Sequence, residues 1–332
     1  MARRRIIPLF IPHLGCPNQC VFCDQRTISG APEPVTPERV SAQIAAALPK
    51  AGEGCELAFY GGSFTALPME TQRQLLEAAR PSLRSGALSS VRLSTRPDAI
   101  RDEVCVLLKK SGAATVELGC QSMDPEVLRL SRRGHTPEDT ERAVALLRKH
   151  GFSVILQMMT GLPGDSGSQS VETAERIISL RPDGVRIYPT VVLRGTELAQ
   201  AMEEGRYQPQ TVAQAVSLCA TLYERFLSAG IPVIRLGLNP TEDLSGGEAV
   251  AGAYHPALGE LVLSEMFLRR ARAALAAGKG EHAVLSVHPR RMSVMTGQKR
   301  CNLQTLRREF GLKELRVKPG GQDLWTVAGS RW

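Results

Sequence analysis

The alternation of strand and helix signals constrains the fold of this chain more than any other feature of its 332 residues. Turn residues such as Gly86, Gly112 and Gly151 separate apolar runs from stretches of helical periodicity, and Thr136-Pro137-Glu138-Asp139 predicts a helix N-terminus. Strands are predicted at 6–12, 56–60, 90–94, 115–118, 153–158 and 184–189, and helices at 37–48, 69–80, 101–111, 137–150 and 168–180. Six successive β-α units predict a parallel sheet of the α/β class, a partial (βα)6 TIM-like barrel.

The pattern changes after Pro189, and we expect three parts: a barrel domain at 1–232, a helical extension at 233–280 and a small C-terminal α+β module at 281–332. This module has ten Lys and Arg residues against four acids, a net charge of +6, within a chain of net charge +8. Such a surface attracts polyanions, nucleic acid first, although a solvated face that aids solubility is an alternative. No apolar run approaches the length of a membrane span, so no membrane association is expected.

Three of the eight cysteines, Cys16, Cys20 and Cys23, lie in one loop after the first predicted strand, where barrels of this kind place their chemistry. Three thiolates can hold one metal centre and leave a coordination position open, as catalytic centres do. Iron–sulfur and zinc both suit thiolate ligands, and His13 would complete a Cys3His zinc site. The other five cysteines stand singly in apolar contexts, which is typical of a cytoplasmic protein without disulfides.

Other predicted strands also end in segments that could approach a ligand. The second strand ends in Tyr60-Gly61-Gly62-Ser63-Phe64, and two glycines at a strand terminus allow close backbone approach. The fourth strand runs into 117–122, followed by 132–136, and the fifth runs into 157–164. Each segment alone could be an ordinary turn, but successive parallel strands bring all of them to one mouth.

The spacing Cys-x3-Cys-x2-Cys, with Phe22 before the third cysteine, resembles the radical S-adenosylmethionine (SAM) superfamily. Within it, segments 94–98, 117–136, 158–164 and 185–190 resemble the radical domain of the elongator catalytic subunit. The resemblance covers about 4–207 well and extends more loosely to about Phe267, so it includes the helical extension. The acetyltransferase domain that follows the elongator radical domain has no counterpart in this sequence, and we expect no acetyl-coenzyme A chemistry.

The resemblance implies a 4Fe-4S cluster bound by Cys16, Cys20 and Cys23, with S-adenosyl-L-methionine at the open iron position. Reduction by an external electron donor would cleave this cosubstrate to a 5'-deoxyadenosyl radical that abstracts hydrogen from the substrate. The contacts implied for the cosubstrate are Gly61, Gly62 and Ser63 at the methionyl amino group, Phe22 at the adenine, Gln121 and Arg133 at the ribose and carboxylate, and Gln157 as a further polar contact. Alternatively, Arg133 is a solvated cation at a helix end and Gln157 a hydrogen-bonding residue of the core.

Three functions are compatible with these patterns. The first is a radical SAM enzyme that modifies RNA of the tRNA type, bound through the basic C-terminal module, with Gly297–Leu303 as the best candidate for phosphate contact. The second is a radical SAM enzyme on a small porphyrin-type molecule, because Leu118–Thr136 also resembles oxygen-independent coproporphyrinogen dehydrogenase. The third is a non-enzymatic zinc or iron–sulfur adaptor protein.

Overall fold

The computed structural model describes residues 5–11, 16, 20–24, 35–238, 244–321 and 323–332. The chain divides into two compact units, Met1–Thr211 with Phe226–Tyr254 and Val212–Arg225 with His255–Trp332. The division into three parts given above stays a prediction. Among the helices of the described residues, none combines the length and the apolar character that crossing a membrane requires.

The first unit is built on a parallel sheet. Its strands are β1 (Ile6–Ile11), β2 (Cys55–Gly61), β3 (Leu88–Thr95), β4 (Ala113–Gln121), β5 (Ser153–Thr160), β6 (Gly184–Pro189), β7 (Val191–Leu193), β8 (Val233–Leu236) and β9 (Ala249–Gly252). The sheet has the order β1-β2-β3-β4-β5-β6-β8, and all six pairings are parallel, while β7 and β9 form a separate antiparallel pair. The predicted partial α/β barrel is confirmed, and β8 adds a seventh strand that was not among the six predicted ones.

The helices of this unit follow the strands in alternation. They are α1 (Pro37–Ala51), α2 (Met69–Arg84), α3 (Asp102–Lys110), α4 (Pro125–Leu130), α5 (Pro137–Lys149), α6 (Gly167–Ser179) and α7 (Glu197–Glu203), while α8 (Val212–Ser228) belongs to both units. At the start of α5, the Thr136 side chain accepts a hydrogen bond from the Asp139 amide, and the Asp139 carboxylate accepts one from the Thr136 amide. This reciprocal capping stabilises the helix start that the sequence predicts.

The two faces of the parallel sheet differ in chemistry because side chains alternate along each strand. On one face, residues such as Val116 and Leu118 are fully buried, and this apolar face packs against the helices. On the other face, the strands carry polar and charged side chains, among them Arg92, Glu117 and Arg186. The helices therefore cover the outside of the half-barrel, and its interior is polar.

The second unit contains a three-stranded sheet with helices on one face. Its elements are α9 (Leu258–Ala276), β10 (His282–Val287), α10 (Met292–Thr296), α11 (Cys301–Phe310), β11 (Glu314–Pro319) and β12 (Val327–Arg331). The central strand β10 pairs in parallel with β11 and antiparallel with β12. Its alternate residues Ala283, Leu285 and Val287 pack against apolar side chains of the three helices. The predicted C-terminal α+β module is confirmed.

Candidate active site at the carboxyl edge of the half-barrel

The carboxyl ends of the parallel strands lie along one edge of the half-barrel, and the candidate residues lie at that edge. Cys16 follows β1, and its Sγ is 3.5 Å from Oγ of Ser63, which follows β2. Arg133, in the segment after β4, donates a hydrogen bond from Nη1 to Sγ of Cys20 at 3.3 Å. The structure therefore brings the cysteine loop, the end of β2 and the segment after β4 together.

The end of β2 has a backbone that only glycine adopts readily. Gly61 has a φ of 99°, which is strained for residues with a side chain. Gly62 and Ser63 are buried, and the chain then forms a short 3-10 turn at Phe64–Ala66. This sharp turn places the Ser63 hydroxyl near the cysteine loop, while the contact of Gly61, Gly62 and Ser63 with a methionyl group stays a prediction.

A bulge at the end of β4 positions two of the candidate side chains. Gly119 pairs with Gln157 and Gln121 pairs with Met158, so Cys120 is an extra residue on β4. Gln121 has a φ of 61°, and its Oε1 accepts a hydrogen bond from Nε2 of Gln157 at 3.2 Å. A Cβ atom at Gly119 would lie 2.8 Å from Nε2 of Gln121. The glycine at 119 thus provides the space in which Gln121 meets Gln157.

Both the thiol and the backbone carbonyl of the bulge residue Cys120 form hydrogen bonds. Its thiol donates a hydrogen bond to the carbonyl oxygen of Gln157 at 2.9 Å, and burial raises the pKa of this thiol to about 12. Its own carbonyl oxygen lies 3.2 Å from Nε2 of His135. Burial, reinforced by the charge of Arg133, lowers the pKa of His135 to about 3, so the imidazole is neutral at pH 7 and donates to this carbonyl. These contacts stabilise the left-handed backbone that follows the bulge.

The guanidinium of Arg133 is fixed over the end of β4. Its Nη2 donates to the carbonyl oxygen of Gly119 at 2.7 Å, in addition to the contact of Nη1 with Cys20. The backbone carbonyl of Arg133 accepts a hydrogen bond from Nη2 of Arg96 at 2.7 Å, and Arg96 is only 2% exposed and paired with Asp98. These contacts hold Arg133 beside the cysteine loop, and its role toward a cosubstrate stays a prediction.

The interior of the half-barrel holds a connected set of charged and phenolic side chains, Glu56, Tyr60, Arg92, Glu117 and Arg186, which we call the interior network. Oε1 of Glu117 accepts hydrogen bonds from Nη1 of Arg92 at 2.9 Å and from Nη2 of Arg186 at 2.8 Å. The Tyr60 hydroxyl donates to the same oxygen at 3.2 Å. Arg92 also donates from Nη2 to Oε2 of Glu56 at 2.9 Å. Strand register thus gathers residues that are far apart in the sequence.

The charges of the interior network balance, with two guanidinium groups facing two carboxylates. The side chain of Glu117 is 3% exposed, and those of Arg92 and Arg186 are each 15% exposed. Burial, together with the charge of Glu117, raises the pKa of Tyr60 to about 12, so the phenol is protonated and donates. This network was not predicted from the sequence. Charged residues at alternate positions of otherwise apolar strands were the signal that could have indicated it.

A pocket of about 430 Å³ lies beside Cys16, next to the turns that follow β2 and β3. Thr65, Gln72, Arg96 and Asp98 are among its lining residues. This volume falls within the range of roughly 300–1,000 Å³ that is usual for small-molecule sites. The edge of the half-barrel therefore offers room for a small ligand next to the cysteine loop.

Phe22, the predicted adenine contact, lies in the apolar surroundings of the cysteine loop. It packs against a small cluster that contains Val21, Val192 and Leu198. The backbone amide of Leu198 donates to the carbonyl oxygen of Val21 at 2.8 Å, which ties the loop to the start of α7. The aromatic residue thus helps to anchor the loop, and contact with an adenine stays a prediction.

The thiols of the cysteine loop have the chemistry that a 4Fe-4S cluster needs. Three cysteines from one loop match the usual ligands of such clusters, and the guanidinium of Arg133 lies within hydrogen-bond distance of Sγ of Cys20. Within the described ranges, no three His, Cys, Asp or Glu side chains are gathered in a position to hold a metal ion. Residues 17–19 and His13, the possible fourth zinc ligand, lie outside those ranges. The ligand set of Cys16, Cys20 and Cys23 therefore stays a prediction.

Comparison with known families gives two matches. A family model described as the radical SAM superfamily matches residues 10–177, and a model described as the Radical_SAM C-terminal domain matches residues 182–267.

Two individual proteins are also similar in sequence. A tRNA uridine(34) acetyltransferase of Methanocaldococcus jannaschii is 29% identical over 231 residues, which are 64% of this chain and 42% of that protein. Elongator complex protein 3 of Homo sapiens is also 29% identical over 231 residues, with 64% and 41% covered. This chain thus spans less than half the length of these relatives.

Solved structures show a similar fold. The archaeal Elp3 of Methanocaldococcus infernus with an N-terminal deletion superposes with a TM-score of 0.63 over 82% of this chain and 65% of that chain. The two sequences are 24% identical over the superposed residues. At this identity the comparison concerns the fold alone.

Proposed function

Because this chain belongs to the radical SAM superfamily, we propose that it modifies RNA, with a tRNA-like molecule as the substrate. The resemblance inferred from the cysteine loop and the strand ends is confirmed, and the chain is a radical SAM enzyme. Membership of the superfamily implies a 4Fe-4S cluster and S-adenosyl-L-methionine as cofactors. The RNA substrate is the part that we propose, and the polar, charge-balanced interior network is the observation that carries it.

In this proposal Cys16, Cys20 and Cys23 hold the 4Fe-4S cluster. When bound there, a 4Fe-4S cluster would supply one-electron reductive cleavage of the C–S bond of the cosubstrate, with the electron coming from an external donor. Arg133 contributes its positive charge next to Cys20, where it attracts the cosubstrate carboxylate. The chain therefore supplies the ligands and the orienting charge at one edge of the half-barrel.

The residues around the β4 bulge orient the cosubstrate in this scheme. Gln121 and Gln157 form a hydrogen-bonded pair of amides, which offers both donors and acceptors to ribose hydroxyl groups. Their positions are supported by the contacts of Cys120 with the backbone and with His135. Phe22 at the adenine and Gly61, Gly62 and Ser63 at the methionyl amino group complete the proposed contacts.

The interior network favours a neutral, hydrogen-bonding substrate such as a nucleobase. Glu117 is shared between Arg92 and Arg186, so the buried cations are already compensated by carboxylates. A porphyrin-type substrate carries several carboxylates, which need cations that are available for pairing. A nucleobase can exchange hydrogen bonds with Tyr60 and the guanidinium groups without adding charge. The porphyrin alternative is therefore less well supported.

The relatives and the charge of the C-terminal module support the same substrate class. The two relatives compared above are named for tRNA uridine(34) acetylation and for the elongator complex, and this chain matches about two fifths of each. The module at 281–332 has a net charge of +6, which suits the phosphates of RNA. Three of the eight cysteines are clustered in one loop and five stand singly, a use of cysteine typical of reducing compartments, so the proposal places the enzyme in the cytoplasm. The non-enzymatic adaptor function has no support in the comparisons.

The test uses the whole protein, purified and reconstituted with iron and sulfide without oxygen. Iron and zinc are quantified, 5'-deoxyadenosine is measured after addition of a reductant and S-adenosylmethionine, and tRNA binding is measured at two salt concentrations. We expect iron rather than zinc, release of 5'-deoxyadenosine, and tRNA binding that weakens steeply with salt. Cys20→Ala should lose the iron, whereas Cys219→Ala, a buried cysteine of α8, should retain it.

The outcomes separate the parts of the proposal. Zinc in place of iron, with no 5'-deoxyadenosine, would contradict the assigned cysteine ligands. Release of 5'-deoxyadenosine without any tRNA binding at low salt would exclude RNA and favour the small-molecule alternative. Tight binding of a porphyrin that RNA does not displace would lead to the same conclusion.

A further inference from the structure

The three-stranded sheet of the second unit has one face turned away from its helices. Leu285 of β10 and Leu315 of β11 point into the core, so the intervening residues point outward. The outward residues form three rows across the strands, which are Glu314–His282–Trp332, Arg316–Val284–Ser330 and Lys318–Ser286–Ala328. Residues 316, 318, 328, 330 and 332 are exposed, and we call this surface the open sheet face.

The first row of the open sheet face presents an aromatic surface. Trp332 is 60% exposed, which is the highest value for any large apolar residue among those that the structure describes. The ring of His282 lies beside it, with the centroids 6.5 Å apart and the planes inclined by 20°. Ser330 and Ala328, on the same side of β12 as Trp332, have small side chains. An exposed indole with small neighbours is suited to stacking of a planar ring.

Cations flank this aromatic surface on the side of β11. Arg316 and Lys318 project from the open sheet face, and the side chain of Arg316 is 72% exposed. Arg316 pairs with Glu314 at 2.5 Å, but an exposed pair of this kind contributes little and can exchange for a phosphate. Arg290 lies three residues after the end of β10 and is also exposed. The face therefore combines a stacking surface with positive charge.

We infer that the open sheet face binds a single-stranded segment of RNA, with a base stacked on Trp332 and phosphates at Arg316 and Lys318. Proteins that bind single strands combine aromatic stacking with a cationic path for the backbone, and this face has both. In a duplex the bases are already stacked and cannot lie flat on an indole. An acidic protein partner would be attracted by the cations but would not use the exposed indole as a stacking surface. The choice of RNA rests on the function proposed above, whereas the location and the single-stranded form go beyond it.

A fluorescence titration tests the contact directly. The chain has two tryptophans, and Trp325→Phe leaves Trp332 as the single one. We expect a single-stranded oligouridylate of eight residues to quench this fluorescence, and an RNA duplex of equal length to do so much less. Quenching by the duplex at equal concentration, or no quenching when the oligonucleotide is bound, would overturn the inference.

Binding measured by fluorescence anisotropy of a labelled oligonucleotide gives the energetic test. Trp332→Ala should weaken binding about tenfold or more, the effect expected for the loss of one stacked base. Each phosphate contact on a single strand contributes about 0.7 to the magnitude of the slope of log K against log salt. The double variant Arg316→Gln with Lys318→Gln should therefore make this slope less steep by about 1.4. Lys110→Gln, an exposed lysine of the first unit, is the control for charge loss and should leave the slope unchanged.

Three results distinguish the inference from the function on which it rests. If RNA binds but Trp332→Ala and the double variant bind as tightly as the unaltered protein, the open sheet face is wrong and the proposed function stands. If the unaltered protein binds no RNA, both fall. If polyglutamate displaces the oligonucleotide at equal charge concentration, the face recognises acidic chains in general and the stacking contact is refuted. Release of 5'-deoxyadenosine without RNA should be the same in Trp332→Ala and in the unaltered protein.

Discussion

Replacing Glu117 by glutamine should destabilise the first unit strongly, because this carboxylate compensates two buried cations. Glu117→Gln keeps the size of the side chain and removes its charge. Arg92 would retain Glu56, but Arg186 would lose the carboxylate that faces it. Breaking a buried ion pair by removing one partner costs about 3–5 kcal/mol, since the remaining charge is left without compensation. With side-chain exposures of 3% for Glu117 and 15% for Arg186, we expect a value in this range.

Urea unfolding of the cluster-free protein, followed by circular dichroism under reducing conditions, measures this cost. With a denaturant dependence of about 3 kcal/mol per M, a loss of about 4 kcal/mol lowers the midpoint by more than about 1 M. The matched control is Glu126→Gln, which removes a carboxylate from an exposed pair with Arg129 and should leave the midpoint unchanged within error. Adding Arg186→Met to Glu117→Gln should recover part of the loss, because it removes the uncompensated cation.

If the urea midpoint of Glu117→Gln is as close to that of the unaltered protein as the midpoint of Glu126→Gln is, this reasoning is refuted. The interior network would then be hydrated well enough to tolerate an unpaired cation. A further loss on adding Arg186→Met would also contradict it, because packing rather than charge would then explain the effect of the network.

Three further predictions concern the β4 bulge and the second unit. A Cβ at Gly119 would displace Gln121, so Gly119→Ala should weaken S-adenosylmethionine binding to the reconstituted enzyme by about tenfold, and an unchanged dissociation constant would exclude the proposed contact. Burial lowers the pKa of His135 to about 3, and unfolding lets it rise to the usual value of about 6.5, so the unfolded state binds the extra proton. Its contribution to stability is present above about pH 6.5 and falls by about 1.4 kcal/mol per pH unit below it. In His135→Gln, denaturant titrations between pH 6 and 4 should therefore show a shallower pH dependence, and equal slopes would contradict this. Asn302 is 3% exposed and bonded within the core of the second unit, so Asn302→Ala should cost about 1–3 kcal/mol by thermal unfolding, whereas Gln304→Ala on the exposed side of the same helix should cost far less.

Local patterns predict most of the half-barrel. The fifth strand was predicted at 153–158 and spans Ser153–Thr160, and the helix predicted from 137 begins at Pro137 with the capping expected from Thr136. Both signals lie within a few residues of chain, where side-chain alternation and capping act. Strand β8 was missed because its four residues include Arg235 and its place in the sheet depends on pairing with β6.

The residues of the candidate site also divide into those that local sequence patterns predict and those that long-range contacts position. The cysteine loop and the glycines after β2 are contiguous in the sequence, so their chemistry could be recognised from spacing. The left-handed Gln121 could not, because its conformation depends on the extra residue of the bulge and on His135, which is 15 positions from Cys120. A backbone of this kind exists only where surrounding contacts stabilise it.

The order of the first six parallel strands and of the helices between them, the superfamily and the position of the cysteine loop were determined by the sequence alone, because each depends on residues that are close together in the chain. The tertiary structure decided which distant residues meet. Strand register places Arg92 and Arg186 around the carboxylate of Glu117, and the pairing of β10 with its neighbours turns Trp332 outward on the face that carries Arg316 and Lys318. Such contacts depend on how strands align in three dimensions, and a shift of one residue would turn each side chain to the opposite face.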